Sequence, residues 1–274
     1  MKPDDHTLIR ERIRYSQDGA LEPVSLEVLV RGQGPLVVLI ASLGRGAEDF
    51  DDLAARLAAN GYRTAAINPR GIGDSTGPAA RTLQDYAADV AEVVRSLSPD
   101  RPAVLVGHAF GNRVARATAA FTPDMVSGLI LLACGGQAPI PPDAAKALRD
   151  VFDESLSAHA RLKAVKTAFF APGNDPTVWR DGWYPAVTRA QKTALHATPV
   201  MSWSGGGTVD IYIVQAEADV IAPPANAEAL RAAYPDRVTV ATLPNAGHAI
   251  LPEQPERLAE LVLAALQMLT CNGI

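Results

Sequence analysis

Ala103-Val104-Leu105-Val106-Gly107-His108-Ala109-Phe110-Gly111 is the stretch that decides how this chain is read. Four apolar residues in succession suit a strand covered on both faces. Beyond Gly111 a helical pattern runs through Arg113, Val114, Ala117 and Ala120. A strand, a tight turn with paired glycines and a helix therefore follow one another within about twenty residues. Small residues on either side of such a turn tolerate a strained central residue aimed out of the fold. The central residue is Ala109, which carries no functional group.

The same alternation continues outward from this stretch. Candidate strands lie at Leu8–Tyr15, Ser25–Arg31, Leu36–Ala41, Arg63–Ile67, Gly128–Ala133, Val209–Gln215 and Val238–Leu243, with Ala103–Gly107 in their midst. The first two alternate and end in Gly/Pro turns, which predicts antiparallel strands with one wet face. Most later ones are nearly all apolar, as strands of a parallel sheet must be. Helical stripes fill the gaps: Ala47–Asn60, Leu83–Leu97, Phe110–Phe121, Pro224–Tyr234 and Pro255–Leu269. The expected fold class is α/β, a mostly parallel eight-stranded sheet flanked by helices, with ligands bound at the carboxyl ends of the strands.

One segment interrupts the pattern. Residues 136–207 hold no convincing strand, but they contain helical stretches near Asp143–Leu156 and His159–Phe170 and all three tryptophans. The expected organisation is a core made of residues 1–135 and 208–274, with 136–207 inserted as a helical cap. Phe152, Trp179, Trp183 and Tyr184 are candidates to line an apolar pocket beneath it, or to form the cap's own small core.

Composition narrows the function classes. The 274 residues are 48% hydrophobic and 20% charged, which fits a globular chain that can bury about three quarters of its unfolded surface. A net charge of −5 leaves no basic footprint for nucleic acid or an anionic membrane. Cys134 and Cys271 are expected to be free thiols, and His6, His159 and His196 lack ligand-like spacing, so neither metal nor cofactor is expected. The first six residues have no apolar targeting core, and a cytoplasmic monomer or homodimer acting on a small molecule is the expectation.

Five motifs, in order, resemble those of the α/β-hydrolase superfamily, and the resemblance spans nearly the whole chain. Leu36–Phe50 resembles its third-strand segment, with Ala41 and Ser42 where His and Gly are usual. Asn68-Pro69-Arg70-Gly71-Ile72-Gly73-Asp74-Ser75 resembles its D-x-R-G-x-G-x-S loop, with Asn68 in the first acidic place. Gly107–Gly111 resembles the G-x-S-x-G nucleophile elbow, Ala216–Pro223 the loop that supplies the acid, and Asn245-Ala246-Gly247-His248 the loop that supplies the base. Gly71 and Gly73 belong to no phosphate-binding pattern.

The resemblance implies a Ser-Asp-His triad with Ala109 in the nucleophile's place, Asp219 as acid and His248 as base. Glu217 is a competitor for the acid, disfavoured by its spacing to Pro223. His108 is expected to pack behind the elbow. The backbone N–H groups of Leu43 and Phe110 are expected to hold an oxyanion, each donor worth about 3 kcal/mol of transition-state stabilisation.

Ala109 admits three explanations: a Ser→Ala replacement in a serine hydrolase, a nucleophile-free ligand-binding protein, or a cofactor-free dioxygenase that uses only His248 and Asp219 as a base. The first is the leading expectation, because the acid, the base and the elbow glycines are all retained. An ester, thioester or lactone of a mostly apolar molecule is the expected substrate, with C–C bond hydrolysis as a close alternative. The aromatic cap, and a pocket expected to lack basic groups, argue against a phosphorylated or polyanionic one.

Overall fold

The computed structural model describes residues 7–17 and 22–271, so the N-terminal six residues read above for targeting, with His6, lie outside it, as does the Cys271 thiol. The strands are β1 (Ile9–Tyr15), β2 (Val24–Arg31), β3 (Leu36–Ile40), β4 (Arg63–Ile67), β5 (Ala103–His108), β6 (Val126–Leu132), β7 (Ile211–Ala216) and β8 (Val238–Leu243). The helices are α1 (Asp51–Ala59), α2 (Leu83–Leu97), α3 (Phe110–Phe121), α4 (Pro142–Val151), α5 (Ala158–Phe169), α6 (Pro185–Ala197), α7 (Ala225–Ala233), α8 (Ile250–Glu253) and α9 (Pro255–Cys271). The fold is α/β: one eight-stranded sheet in the order β1-β2-β4-β3-β5-β6-β7-β8. β2 pairs antiparallel with β1 and β4, and every other pairing is parallel.

Side chains alternate across this sheet and seed a core on each face. In β3, Leu36, Val38 and Ile40 join the face covered by α2 and α3, where Leu83, Val90, Val94 and Val114 pack. Val37 and Leu39 join the other face, against Leu53 and Leu57 of α1 and Leu258, Val262 and Leu266 of α9. Each such aliphatic side chain contributes about 2 kcal/mol when removed from water. α2 opens on a capping box: Thr82 accepts from the Asp85 N–H, and Asp85 accepts from the Thr82 N–H at 3.0 Å.

The wet face expected of the first two strands occurs only in β1. β2 is buried along its length except at Arg31, because α1 and α2 flank the sheet where it runs. The inserted segment between β6 and β7 holds α4, α5 and α6. The stripe rule points to α4 and α5 but not to α6, whose buried positions include Thr188 and Gln191 and so carry a weak apolar signal.

The sheet topology sets the location of the site. The chain leaves β3 toward β4 on one side and reaches β5 on the other, so the carboxyl ends of β3 and β5 form a switch point. Ile40 and Gly107 are ladder partners there, which brings the loop after β3 beside the turn after β5.

Candidate active site

Ala109 sits at that turn with φ 50° and ψ −103°, a region that costs a residue with a side chain of order 1 kcal/mol or more. The neighbours show why the chain accepts this. A Cβ on Gly107 would stand 2.4 Å from the Gly111 carbonyl oxygen, and one on Gly111 would stand 2.0 Å from that of Ile40. Only glycines let α3 start this close to β3. The Ala109 N–H donates to Leu132 O at 3.0 Å, and Asn112 Nδ2 donates to Ala133 O at 3.2 Å, tying the turn to the end of β6.

Asp219 follows β7 and His248 follows β8, and both are buried. His248 Nδ1 lies 2.9 Å from Asp219 Oδ2, so the ring's N–H donates to the carboxylate and leaves Nε2 as the basic nitrogen. Asp219 Oδ1 accepts the N–H groups of Ile221 at 2.8 Å and Ala222 at 2.7 Å, which locks the carboxylate's orientation. Glu217 is exposed and takes no part in this pair.

His108 is fully buried behind the elbow, and burial, with His248 nearby, pushes its imidazole down to about 3. It is therefore neutral. Its Nε2 donates to the His248 carbonyl at 2.8 Å, which assigns the tautomer, and Nδ1 has no partner among the described residues. The N–H groups of Leu43 and Phe110 have no acceptor among the described residues. Such free donors, one at a helix start, are what a developing oxyanion needs.

Ala109, Phe110, Leu43 and His248 share one cavity of about 300 Å³. Phe152 and Trp183 line it, but Trp179 and Tyr184 do not. Trp179 is turned into the cap's small core, and Tyr184 is 37% exposed. The indoles of Trp179 and Trp183 both grip Arg45, whose guanidinium carbon lies 4.6 Å from each ring centre while Asp49 accepts from its Nε at 2.8 Å. The rings thus fasten the cap to the loop after β3. The expectation of a pocket without basic groups is corrected: Arg113, Lys192 and His196 line it. They come from α3 and α6, far apart along the chain, so no run of charge announced them.

Two supports went unread in the sequence. Gln191 Oε1 accepts the Gly44 N–H at 2.7 Å, next to Leu43. Glu253 accepts the N–H groups of Gly247 and Ala171, each at 2.7 Å, and Asn174 Nδ2 at 2.6 Å. Burial is the largest influence on Glu253 and raises its carboxyl above the ordinary range, against the lowering effect of these donors. Gly247 has no room for a side chain, since a Cβ would stand 2.7 Å from Phe169 O, and the His248 ring stacks on Phe169 at 5.5 Å. A motif scan cannot show such links. Among the described residues no group of three or more His, Cys, Asp or Glu could hold a metal ion, and no helix is long and apolar enough to cross a membrane.

A family model described as the alpha/beta hydrolase family matches residues 37–261. The chain is 33% identical over 110 residues to the 2-(acetamidomethylene)succinate hydrolase of Mesorhizobium japonicum, covering 40% of this chain and 39% of that one. It is 41% identical over 78 residues to epoxide hydrolase 3 of Xenopus tropicalis, covering 27% of this chain and 20% of that one. The matched segments thus span less than half of either curated relative. An esterase from Exiguobacterium antarcticum superposes with a TM-score of 0.78 at 20% identity, over 94% of this chain and 100% of that one. The crystal structure of E-2-(acetamidomethylene)succinate hydrolase gives 0.77 at 22%, over 95% and 100%. With the sheet order, the elbow turn and the family match in place, the chain belongs to the alpha/beta hydrolase family.

Proposed function

We propose that this is the machinery of a serine-type hydrolase for an ester, thioester or lactone of a small molecule, with Ala109 standing where the nucleophilic serine acts. The observation that carries the reading is the pair His248 Nδ1–Asp219 Oδ2 at 2.9 Å, oriented and buried, on the cavity that Ala109 also lines. A hydroxyl at position 109 would give its proton to His248 Nε2 and attack the carbonyl carbon. The N–H groups of Leu43 and Phe110 would hold the oxyanion, His248 would pass the proton to the leaving alcohol or thiol, and water would release the acid.

The chain as it stands lacks the first of these groups. Loss of a triad nucleophile costs on the order of 10⁶ in kcat, so turnover by this route is expected to be negligible, while binding persists because the cavity is only one hydroxyl larger. The Ala109→Ser form, assayed on p-nitrophenyl esters and lactones, is expected to gain activity that His248→Ala then removes. No gain with any substrate sinks the reading. Cleavage of a diketone by the serine form, but of no ester, would move it to C–C hydrolysis. Oxygen uptake by the Ala109 form on an aromatic heterocycle would mark His248 and Asp219 as a lone base. Ligand binding without turnover in both forms would mark a binding protein. The codon at position 109 in the native gene distinguishes a replaced serine from an inherited alanine.

A further inference from the structure

Twenty residues line the cavity beneath the cap, and none is Asp or Glu, whereas Arg113, Lys192 and His196 are all among them. Arg113 lies in the first turn of α3, four residues after Ala109, and both line the cavity. Lys192 and His196 are likewise four apart on α6 and so share a face of that helix. Basic side chains from two elements, α3 and α6, therefore line the same cavity as Ala109.

The partners of these basic side chains set them apart. Among the described residues each of the three buried arginines has polar partners: Arg45 has Asp49, Arg70 has Asp89 at 2.9 Å, and the terminal nitrogens of Arg116 donate to Asn112 Oδ1 and the carbonyls of Ser204 and Gly135 at 3.1–3.2 Å, leaving only its Nε unpaired. Arg113, half-buried, has neither a hydrogen bond nor an ion pair among the described residues. Lys192 lies 4.7 Å from the centre of the Phe152 ring with no carboxylate partner, and His196 has none. The first turn of α3 holds no acidic residue either, so its positive end is uncompensated. Burial lowers the affinity of Arg113 for its proton, and neighbouring Arg116 adds to this. A desolvated cation without a counter-charge is costly, and a bound anion removes the cost.

We propose that the substrate carries a carboxylate close to its scissile carbonyl, that the Arg113 guanidinium receives this carboxylate, and that Lys192 and His196 add attraction from the cap side. The planar fork of the guanidinium matches a carboxylate's two oxygens, and the apolar wall of Leu148, Phe152, Phe169 and Trp183 takes the rest of a small acid. The scissile carbonyl rests on the hydrolase reading above, but the anion subsite does not.

The test is equilibrium binding to the chain as it stands, followed by calorimetry. The probes are phenylalkanoates of two to five chain carbons and their uncharged primary amides. At least one acid is expected to bind tenfold or more tighter than its amide. That ratio is expected to shrink in 0.5 M salt, to fall to near one in Arg113→Gln, and to drop about threefold in Lys192→Gln. Equal binding of acid and amide across the series, or no binding of any acid, overturns the inference without relying on a variant. An undiminished ratio in folded Arg113→Gln also overturns it, as does phenylphosphonate binding tighter than every carboxylate. If Ala109→Ser cleaves neutral esters while acids and amides bind equally, the hydrolase reading survives alone. Acid-selective binding without hydrolysis in the serine form leaves the subsite standing and removes the hydrolase reading.

Discussion

Gln191 of α6 accepts the Gly44 N–H at 2.7 Å, so a side chain of the inserted segment holds the peptide next to that of Leu43, which lines the cavity. The inserted segment is therefore a structural support of the proposed oxyanion site. In the Ala109→Ser form, Gln191→Leu is expected to lower kcat about tenfold with little change in KM, since a buried N–H left unpaired costs about 1–3 kcal/mol and loosens the loop. Gln191→Glu keeps the acceptor and should recover most of the loss. Equal rates for parent and Leu forms would refute this role.

Glu253 anchors the loop that carries His248 to the end of α5 through Gly247, Ala171 and Asn174. Its removal strands three donors at once. Glu253→Ala is expected to cost about 3 kcal/mol of stability by urea denaturation, and Glu253→Gln less, because one acceptor oxygen remains. A loss under about 1 kcal/mol in the alanine form would show that water replaces these bonds.

The elbow stores backbone strain at Ala109. Glycine reaches φ 50° and ψ −103° without a Cβ penalty, so Ala109→Gly is expected to stabilise the chain by about 1 kcal/mol, less the greater entropy of the unfolded glycine. That entropy is worth about 0.4–1 kcal/mol, so for a chain of this size the net rise in Tm is expected to be about 1 °C or less. Ala109→Ser should leave Tm nearly unchanged. Differential scanning calorimetry on the three forms decides it, and a lower Tm for glycine contradicts strain at this position.

His108 supplies a pH dependence with a defined sign. Its folded imidazole is held down to about 3, against about 6.5 when unfolded, so the unfolded state binds the extra proton first. The contribution is fully present above about pH 6.5 and is lost progressively as pH falls toward 3, amounting to several kcal/mol in all. His108→Gln, which lacks the titration, is expected to show a flatter stability curve between pH 7 and 4. Parallel curves for the two proteins would assign the acid loss to other groups.

Much of the fold could be read along the chain because its signals are local. β5 and α3 are legible in Val104–Val106 and in the stripe that ends at Phe121, and each needs only its own residues and near neighbours. α6 escaped because two of its buried positions are Thr188 and Gln191, chosen for hydrogen bonds to a distant loop and to its own helix rather than for apolar packing. The burial of β2 is hidden for a related reason: alternation along a strand does not say how many layers cover it.

The sequence by itself determined the strand–turn–helix around Ala109, the order of motifs from Leu36 to His248 and the α/β class, since backbone preference and hydrophobic period act within a few residues. Tertiary structure alone decided that Trp179 grips Arg45 instead of facing the cavity, and that Arg113, Lys192 and His196 line that cavity with no carboxylate among its lining residues. Charge and contact depend on distance through space, and that distance is set only when the cap folds back over the sheet.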